Sequence, residues 1–144
     1  MKFYIAYGSN LSVEQMEFRC PGARVVGMAA LQDWKLAFGR HATIEPCPGR
    51  VVPVLIWEIT DADEKSLDKY EGYPKYYYKE NLDVVMTDFD GRNPRAIEAM
   101  VYIMTEIQKD GFPSELYVNT IVDGYRNFGF NMDVLHTAIM ECLY

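Results

Sequence analysis

The segment Tyr7-Gly8-Ser9-Asn10 sets a residue without a Cβ beside two short polar side chains. Glycine there lets the backbone approach a ligand closely or adopt φ > 0, and Ser and Asn suit tight turns. If a helix starts just afterwards, its free N–H groups make a site for a carboxylate or an oxyanion. The same residues also fit an ordinary turn in which Ser9 and Asn10 cap their own backbone. Spacing alone leaves both readings open.

Glu71 is the second candidate. Leu67 lies four residues before it, so on a helix both share one face, and a buried Leu67 directs Glu71 towards protein. Gly72 and Pro74 place Glu71 in the last turn, where the negative end of the helix dipole disfavours a carboxylate. Desolvation and dipole both raise its pKa, which suits a group that takes a proton and returns it near neutral pH. Asp63, Glu64 and Asp68 read as solvated by contrast. The plain alternative is a glutamate fraying at a helix end.

Eleven tyrosines supply apolar walls with polar tips, among them Tyr4, Tyr7, Tyr73, Tyr76, Tyr77, Tyr78, Tyr117 and Tyr125. Most of them read as core or rim packing. His41 has no serine or cysteine at nucleophile spacing, and His136 sits among Val134, Leu135, Ala138 and Ile139, where it reads as packing. Cys20, Cys47 and Cys142 are odd in number, form no Cys-x-x-Cys pair and read as reduced thiols. No metal and no organic cofactor is therefore expected.

The elements that must position these residues follow from pattern. Residues 3–7 read as a buried strand, and Ser12 with Gln15 starts a short helix that stops before Pro21-Gly22. Residues 24–30 and 33–38 read as two strands with a break near Gln32. Residues 51–59 form another, placed at an edge or bulge by Pro53. Thr60 or Asp61 caps a helix to about Glu71. Residues 76–87 and 97–104 pair around the turn Asp88-Phe89-Asp90-Gly91, and helices follow over 113 to about 128 and over 131–143. Strands first and helices sparse give an α+β fold in one domain over 1–144, with a mixed or antiparallel sheet or barrel.

The formal charge is −7, with no Lys/Arg cluster, which argues against nucleic acid and anionic membranes as partners. The N-terminus runs straight into Gly8 without a signal-like apolar stretch, and nothing is long and apolar enough to span a bilayer. A cytoplasmic protein is expected. Its oligomeric state is not legible in the sequence.

Taken together, these segments resemble the γ-glutamylcyclotransferase family, with its avirulence-induced and γ-glutamylamine cyclotransferase branches. The matching residues begin with Tyr4-x-Ala6-Tyr7-Gly8-Ser9-Asn10-Leu11, Arg19-x-Pro21-x-Ala23 and Leu31-Gln32-Asp33-x-Lys35-Leu36-x-Phe38-Gly39. They continue with Ala42-Thr43-Ile44, Val54-x-x-Trp57, Ser66-Leu67-Asp68-x-x-Glu71-Gly72, Tyr102-x-Met104 and Pro113-Ser114-x-x-Tyr117. The resemblance implies a compact β-barrel flanked by helices, with a pocket at one end. It implies a substrate site lined by Tyr4, Ile5, Ala6, Tyr7, Gly8, Ser9 and Asn10, a substrate contact at Tyr117, and Glu71 as the catalytic acid and base. The implied reaction is intramolecular cyclisation of a γ-glutamyl amino acid or amine to 5-oxoproline. The stretch between Gly39 and Ala42 is shorter than in animal members, and Tyr73-Pro74 follows Glu71-Gly72. Both departures are expected near the pocket rim and so bear on the leaving group. The alternative is a non-catalytic pocket of the same fold that binds a small acidic amino-acid derivative.

Overall fold

The computed structural model describes residues 1–106 and 109–143. In chain order these are β1 (Lys2–Ala6), a 3-10 turn (Ser9–Leu11), α1 (Val13–Arg19), β2 (Arg24–Phe38) and β3 (Ala42–Ile59). There follow α2 (Asp61–Glu71), β4 (Tyr77–Met86), β5 (Arg95–Met104), α3 (Glu115–Phe128) and α4 (Met132–Leu143). The strands form a single mixed sheet in the order β2-β3-β1-β5-β4. β1 lies at its centre, antiparallel to β3 through Tyr4↔Trp57 and parallel to β5 through Tyr4↔Met100. A strand covered on both faces needs no alternation, and Tyr4, Ile5 and Ala6 are all buried. The two outer strands curl towards each other and meet at one bridge, where the Met28 and Thr87 backbones exchange bonds of 3.0 and 2.9 Å. The sheet is thus barrel-like but not closed along its length.

Three expectations about the strands are corrected. The pair anticipated over 24–38 is one strand, β2, because Asp33 takes φ 65 and absorbs an irregularity of register instead of ending the strand. Its carboxylate accepts from the Gly49 N–H at 2.9 Å, which fixes the facing bulge. β3 starts at Ala42, nine residues before the expected start at Val51; Pro46, Pro48 and Gly49 hid that half of the hairpin. Finally, the edge expected at Pro53 holds only locally, because β3 as a whole is an interior strand. Pro53 is tolerated because β1 already ends opposite Leu55, leaving β3 locally an edge on that side.

The helices are set by their ends. Thr60 and Asp63 form a reciprocal capping box at the start of α2, and Gly72, with φ 67, ends the helix directly after Glu71. Leu67 is fully buried, so α2 is held by the face that also carries Glu71. Burying a leucine there stabilises by about 1.5–3 kcal/mol. Ser114 caps α3 by accepting from the Tyr117 N–H, and Gly129 ends it at φ 69. The α3 backbone comes so close to the 3-10 turn that a Cβ on Gly124 would lie 2.6 Å from the Leu11 Cβ.

Several side chains depart from the sequence reading. Asp63 is buried, not solvated, since it also accepts from the Gly22 N–H at 3.1 Å. Glu64 binds Lys2 and Lys79 at 2.8 and 2.7 Å. Asp68 binds Lys79 at 2.8 Å and accepts from the Tyr102 hydroxyl at 2.6 Å. Burial alone would raise the Glu64 pKa, but the hydrogen bonds from Lys2 and Lys79 bring it below the usual value. His136 is exposed on α4 and does not pack. The three cysteines are free thiols, with Cys20 buried and its thiol pushed up to about 11, first by burial and then by Asp63.

Candidate active site

Glu71 stands in the wall of a cavity of about 350 Å³, within the range of small-molecule sites. Two larger surface hollows, of about 960 and 740 Å³, contain neither Glu71 nor the Tyr7–Asn10 turn. The last turn of α2 supplies Lys69, Tyr70 and Glu71 to the wall; the β1 side supplies Tyr4, Tyr7, Gly8, Ser9 and Asn10. His41 and Ala42 come from the β2–β3 hairpin, Tyr76 and Tyr77 from the start of β4, and Tyr117 from α3. Segments distant in sequence thus converge because β1 is central and α2 and α3 end or begin over the same end of the barrel.

The electrostatics separate Glu71 from its neighbours. Burial raises its carboxyl from 4.5 to about 7, against the opposing pull of the Arg19 guanidinium. No hydrogen bond to the Glu71 carboxylate is found among the described residues. Burial, with Glu71 itself as a further cause, drives the phenols of Tyr4, Tyr7, Tyr77 and Tyr117 up, so they stay protonated at neutral pH. Burial and then Arg40 lower His41 from 6.5, so at pH 7 its ring is neutral. Glu71 is therefore the one carboxylate on this wall and is balanced between its two protonation states near neutrality.

Hydrogen bonds hold the tyrosines in place. The Ala42 N–H donates to the Tyr117 hydroxyl at 3.0 Å, while the Tyr77 hydroxyl donates to the Ala42 carbonyl at 2.7 Å. The Tyr117 hydroxyl thus accepts from Ala42 and has Ser9 as a further side-chain partner. The Tyr7 proton is committed to the Tyr102 carbonyl at 2.7 Å. Ser9 and Tyr70 share a bond of 2.9 Å between their hydroxyls. The His41 ring stands edge-on to Tyr117 at 5.1 Å.

The expected site residues fare unequally. Tyr4, Tyr7, Gly8, Ser9, Asn10, Glu71 and Tyr117 all line the cavity. Ile5 and Ala6 do not: both are buried in the core, so their part is to fix the strand that carries Tyr4 and Tyr7. The Asn10 side chain is already spent, since its amide donates to Tyr4 at 2.8 Å and its carbonyl accepts from Arg19. Its backbone carbonyl also accepts from the Trp57 indole at 3.2 Å. Gly8 has φ −123, so its need for glycine is one of space: a Cβ would lie 3.2 Å from the Ala42 Cβ and 3.4 Å from the Tyr117 hydroxyl. The N–H groups of Ser9 and Asn10 open the 3-10 turn and have no partner within it.

His41, Ala42, Lys69, Tyr70, Gly72, Tyr76 and Tyr77 also line the cavity, so the stretch ending at Ala42 and the tyrosines after Gly72 do reach it, although none of them was named as a substrate contact. Tyr70 and Lys69 carried a signal, since they immediately precede Glu71. Ala42 was marked only by the resemblance, because its contribution is made by its backbone. Tyr73 and Tyr78 point elsewhere and are exposed, and Tyr125 lies in the core. Among the described residues, no group of three or more His, Cys, Asp or Glu side chains is placed to hold a metal ion.

Comparison with known proteins agrees with this arrangement. The sequence profile of the family described as γ-glutamyl cyclotransferase, AIG2-like, matches residues 4–119. γ-Glutamylcyclotransferase of Bos taurus is 32% identical over 142 residues, covering 90% of this chain and 73% of that protein. The Homo sapiens protein of the same name is 31% identical over 142 residues, with the same coverage. A solved structure of a γ-glutamyl cyclotransferase superposes with a TM-score of 0.81 at 29% identity, covering 95% of this chain and 85% of that one. With the profile spanning both the Tyr4–Asn10 segment and Glu71, the chain belongs to the γ-glutamyl cyclotransferase, AIG2-like family.

Proposed function

We propose that this protein cyclises γ-glutamyl compounds to 5-oxoproline, with Glu71 as base and then acid. The observation that carries the reading is the Glu71 carboxyl itself, raised to about 7 inside a tyrosine-walled cavity of small-molecule size. The substrate's α-amino nitrogen attacks its own γ-carbonyl carbon and closes a five-membered ring. Ionised Glu71 takes the proton that this nitrogen sheds, and the same proton goes to the leaving nitrogen as the old C–N bond breaks. Nucleophile and electrophile belong to one molecule, so no covalent enzyme intermediate is required once the chain is held bent. The Ser9 and Asn10 N–H groups and the Tyr117 hydroxyl are the donors for the developing oxyanion or the α-carboxylate. Tyr4, Tyr7 and Gly8 shape the wall against which the glutamyl chain lies. A pocket that only bound an anion would gain by losing Glu71, which disfavours a non-catalytic role.

γ-Glutamyl amino acids and γ-glutamyl amines share the reacting atoms, so a panel of both is the test, read as 5-oxoproline by mass spectrometry. The wild type is expected to form it, and Glu71→Gln to fall by ~100-fold or more in turnover with its fold intact. Near wild-type turnover in Glu71→Gln would overturn the assignment.

A further inference from the structure

Arg19 ends α1 and does not line the cavity; it lines the outer hollow between α1 and α3. Its guanidinium nevertheless reaches the cavity wall from behind. It stacks 3.4 Å from the ring centroid of Tyr70, the residue that precedes Glu71. It also donates to the Asn10 carbonyl, and the Asn10 amide in turn donates to the Tyr4 hydroxyl at 2.8 Å. Tyr70, for its part, shares a hydrogen bond with Ser9 at 2.9 Å. One cation thus ties the end of α2 to the 3-10 turn and to β1, the pieces that meet around Glu71.

We infer that Arg19 is a positioning residue for the proposed cyclisation: by stacking on Tyr70 and binding Asn10 it fixes the Tyr70–Ser9 and Asn10–Tyr4 contacts that frame Glu71. This rests on the reading of Glu71 as the proton-transfer group. A planar fork suits the task, since one face stacks on an aromatic ring while the edge donates hydrogen bonds. The charge acts without reaching the substrate and opposes the effect of burial on Glu71. Tyr4 and Tyr7 on the β1 side, Tyr77 on β4 and Tyr117 on α3 also face Glu71, all as neutral phenols near pH 7. His41 is neutral there as well, which leaves Arg19 and Lys69 as the cations near it.

The test compares Arg19→Met, which removes charge and fork, with Arg19→Lys, which keeps the charge alone. For Arg19→Met, kcat/KM is expected to drop about tenfold. The ratio of kcat/KM at pH 6 to that at pH 9 should fall by a further ~3-fold, because Glu71 now ionises at higher pH. Arg19→Lys should recover the wild-type ratio but not the full rate, since an ammonium cannot stack and donate in the same way. A second readout does not depend on turnover: the titration of Glu71 by carbon NMR, with its signal assigned through Glu71→Gln. Its midpoint should move upward in Arg19→Met and stay near the wild-type value in Arg19→Lys. A lower melting temperature with the pH ratio and the NMR midpoint unmoved would make Arg19 merely structural and overturn the inference. If the wild type formed no 5-oxoproline while the midpoint moved as stated, the proposed reaction would fall and the electrostatic role of Arg19 would stand.

Discussion

A carboxyl that must take a proton and return it works best when its affinity matches the ambient pH, and burial gives Glu71 a pKa of about 7. The rate should therefore rise with pH through about 7 as Glu71 ionises, which kcat/KM measured from pH 5 to 9 will check. A flat or falling profile across that range would contradict it. Beside Glu71, Gly8 is constrained by space, with Ala42 and Tyr117 at 3.2 and 3.4 Å from where a Cβ would stand. Gly8→Ala should push Tyr117 off the Ala42 N–H, cutting activity by about tenfold or more while lowering Tm by only ~4 °C. Equal loss of both would make the turn purely structural. Glu71 was legible at this scale because a four-residue step from Leu67 and a following glycine fix its surroundings locally. Asn10 was legible only as a cavity residue; that Arg19, Tyr4 and Trp57 already occupy its side-chain amide and backbone carbonyl depends on contacts between distant segments. The solvated reading of Asp63 failed for the same reason, since its partner Gly22 lies 41 residues away.

Among the elements, those with local punctuation were readable and those held by partners were not. α2 announced its ends through Thr60 and Gly72, and the β4–β5 hairpin through its Asp-Gly turn. The first half of β3 was hidden because Pro46, Pro48 and Gly49 speak against a strand, while pairing such as Trp34↔Pro46 and Leu36↔Ile44 overrides them. The seating of α3 is another relation that no window of sequence carries, and it rests on Gly124. Gly124→Ala should gain up to about 1 kcal/mol in helix propensity. The added methyl, 2.6 Å from the Leu11 Cβ, should still cost more, leaving a net loss of about 1–3 kcal/mol. Because α3 carries Tyr117, KM for a γ-glutamyl substrate should rise as well. Thermal melts and steady-state kinetics of the variant check both parts, and a stabilised variant with unchanged KM would count against this packing.

For the molecule as a whole, the same carboxyl that equips the cavity burdens the fold. Its folded value of about 7 lies above the 4.5 of an unperturbed glutamate, so the native state holds this proton more tightly than the unfolded chain. The resulting stability is fully present below about 4.5 and is lost as pH rises through about 7. A shift of that size corresponds to at most ~3 kcal/mol, less whatever solvent in the cavity screens. Glu71→Gln should accordingly be more stable relative to wild type at pH 8 than at pH 5, as melting temperatures of both proteins will decide. A constant difference would mean that the carboxyl is not tuned by burial. The α+β class was legible from the order of strands and helices, whereas the central place of β1 and its parallel pairing with β5 were not, since they join residues nearly a hundred positions apart. The meeting of Met28 with Thr87 has a mechanical meaning of its own. Every other strand neighbour is joined by a ladder, but this line is fastened by two hydrogen bonds, which together contribute on the order of 1–3 kcal/mol. Among the described residues the barrel is in effect a rolled sheet with a single clasp, far thinner than the ladders that hold β1 between β3 and β5.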